Sequence, residues 1–179
     1  MATPVPKIEM TVTYFEMRDP LVRRRMRPAP KGLELVHVPE PPVHFYRYLQ
    51  DTIGDGMWFE RRYADDEAMR AAIHKPGVAL WIPYLHGAPA GMVELDCEFF
   101  PEVELVFFGV MPEHIGKGLG GYLLDWAVDK VFAEGATRFW LHTCNYDHPN
   151  AIPAYKAAGF EVYDTRTALI DDPHALGLL

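Results

Sequence analysis

Cysteine is scarce: Cys97 and Cys144 are the two in a chain of 179 residues, too few for the disulfide framework that staples small secreted domains. Long apolar runs are missing as well. No stretch of about 18 apolar residues signals a membrane-spanning helix, and the opening MATPVPKIEM lacks the apolar segment of an export signal. Positive charge is in deficit, with 17 Lys and Arg against 25 Asp and Glu and a net charge of -8. That is the wrong sign for attraction to a phosphate backbone. The expectation is a cytoplasmic protein with neither nucleic acid nor membrane as a partner. Oligomeric state is not readable, and a homodimer stays open.

Apolar side chains, by contrast, make up 49% of the chain, which suits one sizeable core in one domain. Ile8–Met17 and Gly32–Val38 read as strands around a Pro- and Arg-rich loop, Arg18–Lys31, whose run Arg23-Arg24-Arg25 reads as solvated. Phe45, Tyr48, Leu49 and Ile53 repeat at helical spacing until Gly54 and Gly56 break the pattern. A second helix starts near an Asp65 N-cap and carries Met69, Ala72 and Ile73 on one side. Val78–Tyr84, Met92–Phe99 and Val103–Val110 follow as strands. A long helix runs from Gly118 to Ala133, with Leu119, Tyr122, Leu123, Trp126 and Ala127 as its buried stripe. Phe139–Cys144 is a strand, Pro149–Ala158 a short helix and Glu161–Leu169 a last strand. The order predicts an α+β domain with helices on the faces of a sheet.

Between the strand ending at Val110 and the long helix lies Ile115-Gly116-Lys117-Gly118-Leu119-Gly120-Gly121. Glycine admits positive φ and close approach of a ligand, while the first helical N–H groups carry the positive end of the helix dipole. A pyrophosphate fits such a turn without side-chain ligands. Gly116, Gly118 and Gly121 also satisfy the dinucleotide fingerprint G-x-G-x-x-G. A dinucleotide site wants an acidic residue at the end of the next strand to hold the ribose, and Phe139–Cys144 ends without one.

The order strand, V-x-P-x-x-x-G-x-G-x-G, helix resembles the acetyl-CoA motif of the GNAT superfamily, Q/R-x-x-G-x-G/A, with Ile115 standing where the family has Gln or Arg. A second block, Asn150-Ala151-Ile152-Pro153-Ala154-Tyr155-Lys156-Ala157-Ala158-Gly159-Phe160, is similar to the family's N…A…Y…GF segment. The resemblance runs from Val78 to Phe160. It implies a GNAT-type mixed, mostly antiparallel sheet of about six to seven strands with about four helices. It also implies a division into acceptor-side residues 1–77, an acetyl-CoA-binding core 78–160 and a C-terminal strand and tail 161–179. Cofactor contacts are then expected from Ile115, Gly116, Lys117, Gly118, Leu119, Gly120 and Gly121, mainly through backbone amides, with Lys117 supplying charge. Gly109 and Val110 are expected to orient the pantetheine arm where the family splays two strands apart. The family often places Asn seven positions before the Tyr; His148 stands there, with Asn145 and Asn150 as replacements.

Acyl transfer to an alkylamine needs a base, because an amine of pKa roughly 10 is protonated at neutral pH. Glu104 is the candidate: it sits among Val103, Leu105, Val106, Phe107 and Phe108 and matches the place of the catalytic glutamate in histone-acetyltransferase-type members. A rim carboxylate paired with an arginine is the alternative, with Glu94, Asp96 and Glu102 as rivals and water as a relay. Tyr155 matches the tyrosine that the family uses to protonate the departing sulfur. Neither cysteine occupies a motif position, so direct transfer without an acyl-enzyme is expected. His142, Cys144, Asp147 and His148 have metal-ligating chemistry but lack paired C-x-x-C or H-x-x-x-H spacing, so no metal is expected. The aromatic loop Met57–Tyr63 falls where the superfamily builds its acceptor pocket, which nominates Tyr46, Trp58, Arg61 and Arg62 as acceptor contacts. The acceptor class expected is a small-molecule primary amine; a peptide or protein amine, or a domain that binds acyl-CoA without turnover, are the alternatives.

Overall fold

In the computed structural model, residues 5–22 and 26–179 are described; the run Arg23-Arg24-Arg25 lies outside the described residues. Alternating Val, Thr, Tyr and Phe form β1 (Lys7–Met17), followed after a loop by β2 (Leu33–Val38). Two helices come next, α1 (Val43–Ile53) and α2 (Asp66–Ile73). The strands β3 (Val78–Leu85), β4 (Ala88–Pro89), β5 (Gly91–Asp96) and β6 (Glu102–Val110) then lead to the long helix α3 (Leu119–Ala133). The chain ends with β7 (Arg138–Cys144), α4 (Ala151–Ala158) and β8 (Glu161–Asp171).

All eight strands join one sheet in the order β2-β3-β5-β6-β7-β1-β8, with β4 pairing β3 beside this path. Seven strands therefore make the path, as the resemblance implied, and β4 adds a two-residue return too short to leave a periodic signal. Every pairing is antiparallel except β6 with β7. The helices divide between the faces. On one, α1 and α2 set Tyr46, Leu49, Ile53, Met69 and Ile73 against Leu80, Ile82 and Met92. On the other, α3 and α4 set Leu123, Leu124, Ala127, Val128 and Tyr155 against Phe15, Val93, Leu95, Leu105 and Leu141. The inner strand β5 feeds both cores, so its residues are buried almost without interruption, as expected for a strand covered on both sides.

Local signals set the helix ends. Asp65 caps α2 by accepting a hydrogen bond from the Ala68 N–H at 2.8 Å, and Gly159 in the left-handed region stops α4. Two apolar-face assignments need correction. Tyr48 points outward, 50% exposed, because α1 buries the Val43, Tyr46, Leu49, Gln50 and Ile53 set instead. On α3, Trp126 lies at the rim, its ring 5.1 Å from Trp81, while Asp125 is buried beside Arg27 with an ion pair of 2.9 Å.

Two irregularities shape the middle of the sheet. The β5–β6 register shifts so that Leu95 faces Leu105 while Glu94 faces Phe107, leaving Val106 as the extra residue of a bulge, which bends its strand. Pairing of β6 with β7 stops at Leu105 and Leu141. Beyond that rung the two parallel strands part, and the β7 side of β6 has no ladder partner among the described residues.

Candidate functional site

The fork between β6 and β7 opens onto the N-terminus of α3. Gly116 and Gly118 have φ of 75° and 86°, conformations that L side chains rarely adopt. A Cβ at either would meet nothing within 4 Å, so open space lies over both. The first helical hydrogen bond of α3 runs from the Tyr122 N–H to the Gly118 carbonyl at 3.1 Å. The N–H groups of Leu119, Gly120 and Gly121 are thus left without an intrahelical acceptor, and no acidic side chain or cap occupies the first turn. Such a turn has the geometry of a cradle for an anion. Gly121 has a second role: a Cβ there would come within 2.8 Å of the Arg27 guanidinium, whose Nη1 donates to the Gly121 carbonyl at 3.0 Å.

A cavity of about 310 Å³ extends from the cradle along β6 toward the end of α1. Its cradle end contains Ile115, Gly116, Gly118, Gly120 and Gly121; its floor is Phe108, Gly109 and Val110; its α4 side is His148, Asn150 and Tyr155; and Ile53, Met57 and Trp58 close the far end. Gly109 makes this approach feasible, since a Cβ there would lie 2.3 Å from Ile53 Cγ2. The Tyr155 ring is packed against Phe15 and Phe108 and only 8% exposed. Its hydroxyl has no hydrogen-bond partner among the described residues, and burial, assisted by the negative charge of Asp147, pushes its pKa well up. The phenol is therefore a proton donor at neutral pH.

Several expected site residues lie elsewhere. Leu119 is in the core, and Lys117 is exposed on the turn outside the cavity lining. Asn145 clamps β1 instead of the cavity: its Oδ1 accepts from the Thr11 N–H at 2.9 Å and its own N–H donates to the Thr11 carbonyl at 3.1 Å. Tyr46 is fully buried, donating its hydroxyl proton to Glu94 and accepting from Gln50 Nε2 at 2.9 Å. Arg61 completes that network with a 2.8 Å bond to Glu94, so both residues brace the floor below the loop. Arg62 faces away, donating to the Leu178 carbonyl at 3.1 Å. Of the four acceptor nominees, Trp58 alone lines the cavity.

Glu104 lies on the α1 side of the sheet at the fork, outside the cavity lining. Burial, then the negative charges of Asp96 and Glu94, push its carboxyl from 4.5 up to about 7. It makes no hydrogen bond to a described residue, and its Oε1 is 3.9 Å from His142 Nε2. Asp147, one of the residues expected either to line the cofactor cleft or simply to pack, lines the cavity. Its Oδ2 accepts from the Thr143 hydroxyl and, at 2.9 Å, from the Cys144 N–H. That places a fixed negative charge beside Tyr155, an arrangement only the turn after β7 creates.

The model of the acetyltransferase (GNAT) family matches residues 43–160, which include the cradle, the fork and Tyr155. The chain belongs to the GNAT acetyltransferase family. No curated protein matches it. Among solved structures it is similar to a GCN5-related N-acetyltransferase from Sphaerobacter thermophilus, at 16% identity and a TM-score of 0.65, over 95% of this chain and 53% of that one. One from Kribbella flavida shares 19% identity at a TM-score of 0.60, over 92% of this chain and 60% of that one. The ribosomal-protein-S18-alanine N-acetyltransferase of Escherichia coli shares 17% identity at a TM-score of 0.60, over 74% of this chain and 79% of that one. At these identities the likeness establishes the GNAT fold. The chain spans 53% and 60% of the length of the first two of these relatives. No helix among the described residues is long and apolar enough to cross a membrane.

Proposed function

We propose that this GNAT-family chain is an acetyl-CoA-dependent N-acetyltransferase that passes the acetyl group directly to a primary amine of a small molecule. The observation that carries the reading is that the glycine cradle of α3 and the unpartnered hydroxyl of Tyr155 open onto one cavity. The cradle fits a pyrophosphate, because the N–H groups of Leu119, Gly120 and Gly121 have no intrahelical acceptor and open space lies over Gly116 and Gly118. The unpaired flank of β6 past Leu105 suits the amide-bearing pantetheine arm. Bound acetyl-CoA would supply an activated acyl group as a thioester; everything else falls to the chain. Tyr155 donates a proton to the departing sulfur, and Glu104 takes the proton of the acceptor ammonium. Asn150 and His148 border the cofactor channel from α4, and Trp58 forms the wall nearest the acceptor.

A small acceptor is supported by the fastening of the Met57–Tyr63 loop. Arg62 and Tyr63 bond to the backbone carbonyls of Leu178 and Gly177 in the C-terminal segment, which ties down the end of the loop whose Met57 and Trp58 line the cavity. Thiol release from acetyl-CoA, followed with and without a panel of primary amines, tests the reading. Acceptor-dependent thiol is expected. Tight acetyl-CoA binding with no thiol from any amine would make this a non-catalytic acyl-CoA-binding domain, and turnover of peptide amines alone would overturn the small-molecule acceptor.

A further inference from the structure

Trp140 pairs with Glu104, and Leu141 with Leu105, at the last rungs before β6 and β7 part. His142 is the next residue beyond the fork on the same face as Trp140, because successive strand side chains alternate. There its Nε2 lies 3.9 Å from Glu104 Oε1, and the Tyr14 ring meets the imidazole edge-on at a centroid distance of 5.8 Å. The two side chains differ in access to water: Glu104 is 21% exposed and His142 is 44% exposed. Other carboxylates on this face are engaged. Glu94 is held by Tyr46 and Arg61, and Asp96 by Lys75 at 3.2 Å and the Glu98 N–H at 2.8 Å. The Cys144 thiol, pushed up to about 11 by burial and Asp147, stays protonated near neutral pH.

We propose that His142 and Glu104 form a relay pair, in which Glu104 receives the acceptor's proton and His142 carries it on to solvent. The inference rests on the N-acetyltransferase reading. In each cycle the ammonium N–H bond breaks as an O–H bond forms on Glu104; that proton then moves to the free imidazole nitrogen, and the resulting imidazolium releases one to water. The carboxylate and neutral imidazole are regenerated. At 3.9 Å the pair is too far apart for a direct hydrogen bond, and a small side-chain rotation or one bridging water closes the gap. His142 acts through Glu104, so it is a positioning residue.

The electrostatic setting suits the transfer. Glu104 faces Asp96 and Glu94 from β5, Lys75 from the turn before β3 and Arg61 from the loop, and titrates at about 7. His142 faces Asp147 and Glu104, with Tyr14 from β1 beside it; burial lowers its pKa and Asp147 partly restores it. Burial thus strengthens the carboxyl's hold on a proton and weakens the imidazole's, so that an imidazolium once formed gives its proton up readily to water.

Two measurements on the full chain test the pair. The first is the NMR titration of the His142 ring in wild type and in Glu104→Gln. Loss of the carboxylate should lower the imidazole midpoint, and an unchanged midpoint would overturn the pair whether or not the enzyme turns over. The second is the pH profile of kcat/KM for His142→Gln. We expect a loss of about tenfold or more, smaller than the roughly 10²–10⁴-fold loss for Glu104→Gln, with rescue by free imidazole in the His142 variant alone. Full activity at every pH, or a pH-independent loss that imidazole leaves untouched, would overturn the relay. If wild type releases no thiol with any amine, the N-acetyltransferase reading fails, and the ring titration still decides whether the pair exists.

Discussion

Replacing Glu104 by Gln should make the protein less active and more stable at once. Its carboxyl is raised from 4.5 to about 7 by burial and by its acidic neighbours, so the folded chain holds a proton that the unfolded chain has already released. Stability therefore falls as pH rises from the unfolded value through the folded one, and the penalty is complete above about 7. A shift of that size corresponds to about 3 kcal/mol at most, and water reaching the side chain reduces it to ~1–3 kcal/mol. Glutamine keeps the shape and discards the charge. Urea unfolding of both proteins at about pH 5 and about pH 8 should show the variant's advantage growing with pH by that amount at an unchanged m-value. The same variant should lose the rise of kcat/KM through neutral pH. Equal stability of the two proteins at both pH values would refute the claim that this carboxylate is buried against its ionisation.

Gly118→Val should weaken acetyl-CoA binding by about tenfold or more, because a β-branched residue at a φ of 86° costs ~1–3 kcal/mol of strain and fills the cradle; Ile115→Gln should leave the dissociation constant nearly unchanged, and calorimetry compares them. Tyr155→Phe should lower kcat by about 10²-fold or more with little change in acetyl-CoA affinity, which stopped-flow turnover and calorimetry check together. Gly109→Ala forces a Cβ to within 2.3 Å of Ile53 Cγ2. It should cost ~1–3 kcal/mol, and adding Ile53→Ala should recover part of that cost, since neighbours that clash do not act additively; urea midpoints of the four chains measure the coupling.

The glycine turn and the Tyr155 helix were legible because their information is local: φ-permissive residues at fixed spacing before an apolar stripe describe a strand, a turn and a helix N-terminus. Long-range pairing was not. Tyr46 stands beside Phe45 and Tyr48, and nothing in that cluster says which ring turns inward. Its role follows from Glu94, 48 positions away. Arg62 looked like a site cation until the C-terminal carbonyl of Leu178 claimed it. Gly121 carried a cofactor signal yet also makes room for Arg27. The charge beside Tyr155 depends on Asp147 being fixed by Thr143 and Cys144, and the fork depends on a bulge at Val106. Neither has a sequence pattern of its own.

The most direct test of the acetyl-CoA site proposed at the start of α3 is a calorimetric titration of acetyl-CoA into the wild-type protein, with desulfo- and dephospho-CoA as comparison ligands. One-to-one binding retained by both comparison ligands is predicted, because the cradle holds the pyrophosphate they share. Failure of acetyl-CoA to bind, or binding lost on removing the 3′-phosphate alone, would contradict it.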